Sequence, residues 1–278
     1  MPHLLNRDPS MNDTSLKRVA VVGGGNLGQA LARGWVASGL LDAGDVWITR
    51  RHATKLEDLA AAGFKVGSDN RAASAEADCI VIAVQPAQMV GVLEEIADLI
   101  ENQVVISVAT GVTLKSVRDV LGEGATLVRA MPNTAVETMS SMTCLAADDA
   151  SGRALETAQH LFDAVGLTLV IDEEMMTPAT ALCACGIAFF LRTIRAAAQG
   201  GTEIGFHADD ALTLAAQTAR GAADLILSGG SHPESEIDRV TTPRGCTIAG
   251  LNELEHQGFS SAMIRGILTS SRRAEELL

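Results

Sequence analysis

The chain has 278 residues, a formal net charge of −13 at pH 7, and 47% hydrophobic residues, of which few are aromatic. This length suits one large domain or two ordinary ones with an aliphatic core. The negative charge argues against nucleic acid and anionic membranes as partners, and no uninterrupted apolar run reaches the roughly 20 residues of a membrane span.

The first fifteen residues are polar and lack the apolar stretch of a signal peptide, so residues 1–15 are predicted to form a disordered tail. The odd number of cysteines predicts reduced thiols in a cytoplasmic protein. Cys183 and Cys185 are too closely spaced for a zinc knuckle. We therefore predict no metal, and we expect these two cysteines to be small buried residues on a helix.

A short apolar run that ends in a glycine cluster opens the ordered part of the sequence. Val19 to Val22 is typical of a strand, and a helix-like pattern follows from Leu27 to Ser38. The glycines between them fit G-x-G-x-x-G, which permits a tight turn and a close approach of backbone to a pyrophosphate. The alternative is a glycine-rich turn without a ligand. The predicted cofactor contacts in this turn are Gly23, Gly25, Asn26, Leu27 and Gly28.

Strand-like and helix-like segments alternate through the first half of the chain, which indicates a parallel sheet covered by helices. The further predicted strands are 46–49, 64–66, 78–84, 104–108, 126–129, 142–146 and 167–171. The further predicted helices are 56–62, 88–100, 114–121 and 151–165. Residues 16–172 are therefore predicted to form an NADP-binding, Rossmann-type doubly wound α/β sheet.

From Met175 almost to the end of the chain the periodicity is helical. The predicted helices run from near Pro178 to about Gln199 and then over 209–227, 247–255 and 260–276. We place the domain boundary near Asp172 and predict that residues 173–278 form an all-α domain. Its many small residues suit an oligomer interface or, equally, an internal helical bundle.

The end of the second predicted strand indicates which nicotinamide cofactor the chain prefers. NAD sites usually carry an acidic residue there, whereas this sequence has Thr49, Arg50 and Arg51. Because arginine pairs with phosphate through two parallel hydrogen bonds, these residues favour NADPH, with NADH as the alternative. The same residues would otherwise form a solvated loop with two surface arginines.

Other strand ends are predicted to line the same crevice, since ligands of such sheets bind outside the carboxyl ends of the strands. They belong to the segments 83–86, 107–111 and 129–134. Together with the tip of the second strand they give the further predicted cofactor contacts, which are Thr49, Arg50, Arg51, Asn70, Ala83, Val84, Gln85, Pro86 and Ala109.

Four stretches together resemble pyrroline-5-carboxylate reductase. They are the glycine turn, Ala83-Val84-Gln85-Pro86, Met131-Pro132-Asn133-Thr134, and the segment from Val240 to Glu255. The matches follow the family's order. The last stretch is the most specific, because VTTPRGCTIAGLNELE is similar to the family's V-T-S-P-G-G-T-T-I-x-G-L-x-x-L-E signature.

The sequence departs from the family's pattern at several positions. Arg244 stands where glycine is usual, Cys246 where threonine or alanine is frequent, and Gln85 where lysine is frequent. The segment 183–188, CACGIA, occupies the place of the usual S-G-S-G-P-A. This last change lies near the expected substrate pocket and bears on its detail more than on the reaction class.

The resemblance implies reduction of 1-pyrroline-5-carboxylate to L-proline by hydride from NADPH, in a homodimer or higher homo-oligomer. It also implies that residues 173–278 serve substrate binding and dimerisation. A helix that begins near Thr247 would direct free N–H groups toward a small carboxylate. We predict that the backbone N–H groups of Gly245, Cys246 and Thr247 bind the substrate carboxylate. The Thr247 hydroxyl is the predicted catalytic group, at the ring nitrogen, and Met131 and Asn133 are predicted to pack at the nicotinamide end.

Other interpretations stay open. His232 has a side chain suited to acid–base catalysis near pH 7, or it is a loop residue that makes a hydrogen bond. The β-hydroxyacid dehydrogenases also join this N-terminal motif to a helical domain, but they use a lysine there, and no lysine follows Lys115. A non-catalytic NADP-binding module would bind NADPH without consuming it.

Overall fold

The computed structural model describes residues 16–147 and 152–276. The predicted tail, residues 1–15, and the predicted helix start at Ser151 lie outside these ranges. The described chain forms two compact units. The first contains residues 16–147, 152–185 and 270–276, and the second contains residues 186–269.

The first unit is built on an eight-stranded sheet with the order β3-β2-β1-β4-β5-β6-β7-β8. Its strands are β1 Val19–Val22, β2 Val46–Thr49, β3 Lys65–Gly67, β4 Cys79–Ile82, β5 Val104–Ser107, β6 Thr126–Met131, β7 Ser141–Ala146 and β8 Gly166–Val170. Neighbouring strands are parallel except β6 and β7. The predicted Rossmann-type sheet is confirmed.

The antiparallel pairing of β6 with β7 is not indicated by the sequence pattern. Only residues 132–140 connect the two strands. A parallel pair needs a crossover of about a dozen residues or more, so this short connection brings the chain back in the opposite direction.

Helices alternate with the strands of the first unit. They are α1 Asn26–Ala37, α2 Glu57–Ala61, α3 Asn70–Ala75, α4 Pro86–Ile96, α5 Leu114–Leu121, α6 Gly152–Asp163 and α7 Met176–Ala179. The predicted helices of this half are confirmed with ends that shift by a few residues. No helix was predicted over α3, a short helix whose N-cap Asp69 accepts a hydrogen bond from the Ala72 amide at 2.9 Å.

Apolar clusters bury β1 on both faces of the sheet. Successive strand residues point to opposite faces. Val21 joins the cluster that contains Trp35 and Phe162, and Val22 joins the cluster that contains Met89. Burial on both faces explains why β1 is a continuous apolar run and not an alternating one.

The second unit is helical, which confirms the predicted all-α character of this part of the chain. Its helices are α8 Gly186–Glu203, α9 Ala208–Gly229, α10 Pro233–Val240, α11 Cys246–His256 and α12 Phe259–Glu275, whose last residues belong to the first unit. No helix is predicted between residues 227 and 247, where α10 lies. Pro233 occupies the first turn of α10, where its missing N–H costs no hydrogen bond.

The helical stretch Glu173–Glu203 is long and apolar enough to cross a membrane by length and composition alone, and little of it is buried. It contains α7, a π-helical turn at Thr180–Cys185, and α8. Met176 and Cys183 of this stretch pack on Met131 and Cys144 of the sheet. Contacts therefore group residues up to 185 with the sheet, beyond the predicted domain boundary near Asp172.

Glu173 ties three segments of the first unit together. Its Oε1 accepts a hydrogen bond from the Leu114 amide at 2.7 Å and lies 3.3 Å from Nη1 of Arg129. The Arg129 side chain is only 3% exposed. Because Leu114 opens α5, the carboxylate also satisfies a donor at a helix N-terminus. The pair therefore links β6 and α5 to the segment that follows β8.

We expect Glu173→Gln to lower the free energy of unfolding by about 1.5–3 kcal/mol, the usual worth of a hydrogen bond to a charged group. The neutral amide leaves the buried Arg129 guanidinium without its counter-charge. Urea unfolding measures the change, and Glu174→Gln, at the exposed neighbouring residue, is the matched control. Equal midpoints for the two variants would contradict this role of Glu173.

Candidate functional site

A cleft of about 800 Å³ opens at the carboxyl ends of β1, β2 and β4. In the strand order, β1 and β4 mark the point where the chain changes direction across the sheet, and dinucleotides bind at such points. The predicted cofactor residues in its lining are Gly23, Gly25, Thr49, Arg50, Arg51, Asn70, Ala83, Val84 and Gln85.

The other predicted cofactor residues do not line this cleft. Asn26, Leu27 and Gly28 form the first turn of α1, and Pro86 is the first residue of α4. Ala109, just beyond β5, is 3% exposed.

Each glycine of the turn after β1 has its own geometric reason. A Cβ at Gly23, whose φ is +114°, would lie 2.5 Å from the Ala83 carbonyl oxygen, and a Cβ at Gly28 would lie 2.3 Å from the Gly23 carbonyl oxygen. A Cβ at Gly25 would meet nothing within 4 Å. Gly25 is the N-cap of α1 and makes no side-chain capping bond, so the first amides of α1 suit an anion.

Arg50 and Arg51, which follow β2, make different contacts. Nη1 of Arg50 donates to the Gly24 carbonyl oxygen at 3.0 Å, so this side chain supports the glycine turn. Arg51 is exposed in the cleft lining. Arg51, more than Arg50, is therefore available to a ligand in the cleft.

A hydrogen-bonded chain of three side chains crosses the cleft wall beside Arg51. Thr49 Oγ1 lies 2.6 Å from Asn70 Oδ1, and Asn70 Nδ2 donates to Glu95 Oε2 at 2.8 Å. Sequence reasoning missed Glu95. Gln88, Gly91, Val92 and Glu95 all line the cleft, and their spacing along α4 is that of one helix face. That spacing was the available signal.

Asn133 is anchored at the turn after β6. Its Oδ1 accepts from the Ala135 amide at 3.0 Å, and its Nδ2 donates to the Cys183 carbonyl oxygen at 3.3 Å. Met131 is 2% exposed and packs with Cys144 and Cys183. Met131 is therefore a buried apolar residue next to this turn.

Two thiols lie close together next to this turn, with the Sγ atoms of Cys144 and Cys183 3.9 Å apart. Their hydrogen bond and the burial of Cys144 raise the pKa of Cys144. The same hydrogen bond lowers the pKa of Cys183 to about 7, because it stabilises the thiolate. Cys183 and Cys185 are half-buried, which differs from the expectation that both are small buried residues.

In the second unit, a tight turn precedes α11. The Gly245 amide donates to the Thr242 carbonyl oxygen at 2.9 Å, and Arg244 has a φ of +61°. Gly245 is the N-cap of α11 without a side-chain capping bond, and Cys246 and Thr247 are exposed. Since the Gly245 amide is used inside the turn, the amides of Cys246 and Thr247 are those that suit a carboxylate.

His232 caps a helix in the loop before this turn. Its Nδ1 accepts from the Glu234 amide at 3.3 Å at the start of α10. This contact favours the interpretation of His232 as a hydrogen-bonding loop residue. Within the described ranges, no group of three or more His, Cys, Asp or Glu side chains is arranged to hold a metal.

Comparison with known proteins identifies the family of this chain. Residues 18–111 match a family model described as NADP oxidoreductase coenzyme F420-dependent, and residues 173–277 match pyrroline-5-carboxylate reductase dimerisation. Pyrroline-5-carboxylate reductase 2 of Dictyostelium discoideum is 46% identical over 277 residues, which cover 94% of this chain and 93% of the relative. The chain belongs to the pyrroline-5-carboxylate reductase family.

Other members of the pyrroline-5-carboxylate reductase family agree. Pyrroline-5-carboxylate reductase 1 of Dictyostelium discoideum is 50% identical over 272 residues, and the match spans 93% of this chain but about half, 49%, of that relative's length. The structure of a pyrroline-5-carboxylate reductase from Coxiella burnetii has a TM-score of 0.87 and 29% identity, and the match covers 94% of this chain and 98% of that one.

Arg244 departs from the reductase pattern, and the structure shows a physical consequence for the backbone at this position. Pro243 and Arg244 are the central residues of the turn closed by the Gly245 amide. A positive φ at the third position of a turn is typical of type II, where glycine is preferred. Arginine at this position therefore carries backbone strain that the usual glycine avoids.

We expect Arg244→Gly to raise the free energy of unfolding by about 0.5–1 kcal/mol, because relief of the left-handed strain exceeds the added backbone entropy of glycine in the unfolded chain. Denaturant midpoints measure the effect. Arg239→Gly, in the last turn of α10, should instead destabilise, since it removes the ion pair with Glu236 and glycine is a poor helix former. An unchanged or lower midpoint for Arg244→Gly would show that the turn is not strained.

Proposed function

We infer that this chain reduces the C=N bond of 1-pyrroline-5-carboxylate to L-proline, with hydride from NAD(P)H. The observation that carries the inference is the cleft at the glycine turn, in a chain of the pyrroline-5-carboxylate reductase family. When bound, the dinucleotide supplies the hydride, and the protein's part is to hold donor and acceptor in register.

We propose that the cleft prefers NADPH. The amides at the start of α1 suit the pyrophosphate, because Gly25 leaves open space in front of them. The exposed guanidinium of Arg51 suits a 2′-phosphate, and Arg50 holds the glycine turn in place. No acidic residue stands at the tip of β2 to select the 2′-hydroxyl of NADH.

For the substrate, we propose that the amides of Cys246 and Thr247 at the start of α11 bind the carboxylate. The Thr247 hydroxyl is proposed to hydrogen-bond the ring nitrogen and to help deliver its proton. Hydride addition to the imine carbon leaves the nitrogen in need of one proton, which is why a hydroxyl donor at this atom assists the reaction. Asn133 and Met131 are proposed to shape the nicotinamide end.

The second unit is proposed to pair with a second copy of the chain, as a homodimer or as part of a larger homo-oligomer. The family model for dimerisation matches residues 173–277. Large apolar side chains on this unit are exposed in the single chain, among them Phe190, Leu191, Ile204 and Leu225. We propose that they face another copy and not a bilayer. Light scattering of the purified protein measures the number of copies.

We further propose a cytoplasmic location and no nucleic-acid partner. All cysteines are free thiols, which suits a reducing compartment. The net charge of −13 opposes binding to phosphate backbones.

The direct test of the function is the fall in NADPH absorbance when the purified protein is offered pyrroline-5-carboxylate. Piperideine-6-carboxylate, one ring carbon larger, tests the size of the pocket. A β-hydroxyacid dehydrogenase would instead oxidise a hydroxy acid and reduce NADP⁺, so that the NADPH absorbance would rise. Binding of NADPH without consumption under any of these conditions would favour the non-catalytic module.

We expect Thr247→Ala to lower kcat/KM for the imine about 10- to 150-fold, since a hydrogen bond to a charged group contributes about 1.5–3 kcal/mol. Thr247→Ser keeps the hydroxyl and is the matched control, which should retain most of the activity. Steady-state kinetics at saturating NADPH measures both variants. Equal turnover by Thr247→Ala and the unchanged protein would remove Thr247 from the mechanism.

We expect Arg51→Ala to raise the KM for NADPH about 10-fold or more while it changes the KM for NADH little, because only NADPH carries the 2′-phosphate. Lys55→Ala removes an exposed positive charge outside the cleft lining and is the control for a general charge effect. A parallel rise for both cofactors would instead assign Arg51 a structural role.

A further inference from the structure

The thiols of Cys144 and Cys183 come from segments that are far apart in the sequence. Cys144 lies on β7, and Cys183 lies in the π-helical turn Thr180–Cys185 that leads into α8. Their Sγ atoms are 3.9 Å apart, and each packs in the same apolar cluster as Met131. A shift of about 2 Å brings two sulfurs at this separation to bonding distance.

The two cysteines differ in a way that suits a reactive thiol and its partner. Cys183 is half-buried, and its thiolate is stabilised by the hydrogen bond from Cys144. Cys144 is buried with 3% exposure and keeps its proton. Redox-sensitive cysteines typically combine an accessible thiolate with a neighbouring thiol that resolves the oxidised form.

The pair is also connected to the turn that carries Asn133. The Cys183 carbonyl oxygen accepts the hydrogen bond from Asn133 Nδ2 at 3.3 Å. A covalent bond between the sulfurs pulls the π-helical turn toward β7 and moves this carbonyl relative to Asn133. The change at the sulfurs therefore reaches a residue that we place at the nicotinamide end.

We propose that Cys144 and Cys183 form a reversible disulfide on exposure to a hydroperoxide, and that the oxidised enzyme turns over more slowly. The effect on turnover rests on the proposed function, whereas disulfide formation does not.

The chemistry balances with a hydroperoxide as the oxidant. The Cys183 thiolate attacks one peroxide oxygen, the O–O bond breaks, and the leaving alkoxide or hydroxide takes up a proton, which gives a sulfenic acid on Cys183. The sulfur of Cys144 then attacks Cys183 Sγ, the S–O bond breaks, and water leaves with the Cys144 proton. Two thiols are oxidised to one disulfide, and the peroxide is reduced by two electrons to an alcohol or water.

The experiment treats the full-length protein with hydrogen peroxide, blocks the remaining thiols and maps the peptides by mass spectrometry without reduction. We expect a linked peptide pair that contains Cys144 and Cys183, the loss of two free thiols per chain, and the return of both after treatment with a dithiol reductant. Cys185→Ala, two residues from Cys183, is the matched control and should still give this link. Cys183→Ala should abolish it.

Several outcomes would overturn the proposal. They are a link between Cys183 and Cys185, oxidation confined to the exposed Cys246, or unchanged thiols under conditions that oxidise a small dithiol. Because the Cys183 side chain is only half-buried, we expect Cys183→Ala to fold. This variant therefore tests for the disulfide even if Cys144→Ala fails to fold.

The activity measurement follows on the same samples. We expect the oxidised protein to lose kcat/KM about 2- to 10-fold, as for one weakened positioning hydrogen bond, and to recover after reduction. An oxidised protein with the mapped disulfide and full activity would refute the regulatory part. If the reduced protein shows no reductase activity, the proposed function fails, while the mapped disulfide still stands on its own evidence.

Discussion

The close approach of the glycine turn to the end of β4 is the contact on which the cofactor cleft depends. Any side chain at Gly23 would collide with the Ala83 carbonyl, and any side chain at Gly28 would collide with Gly23 itself. The amides of Gly23 and Gly24 also donate to the Thr49 carbonyl oxygen, at 3.1 and 2.7 Å. The turn is therefore fixed between β2 and β4, and α1 starts where a pyrophosphate meets its amides.

A second set of contacts joins the sheet to the segment that leads into the second unit. Glu173 binds the Leu114 amide and Arg129, and Met176 and Cys183 pack on the sheet near Met131. These contacts hold the start of the helical stretch on the first unit. Because Cys183 hydrogen-bonds Asn133 through its carbonyl oxygen and Cys144 through its sulfur, the proposed disulfide and the proposed nicotinamide end lie in the same small region.

Local patterns in the sequence predicted much of the fold and part of the site. The continuous apolar runs located β1, β2, β4 and β5, because central parallel strands are buried on both faces. The glycine spacing located the cleft. The short helix α3 was not predicted, because its sequence has no clear apolar periodicity. The helix α10 was not predicted either, because a proline such as Pro233 can mark a helix start as well as a break.

The sequence by itself determined the alternation of strands and helices, the glycine turn and the residue types at the tip of β2, since these depend on neighbours within a few positions. Only the tertiary structure decided the antiparallel β6–β7 pair, the approach of Glu95 to Asn70, and the meeting of Cys144 with Cys183. Each of these depends on how elements distant in sequence pack together. Periodicity reports which face of an element is buried, but not which distant side chain it meets.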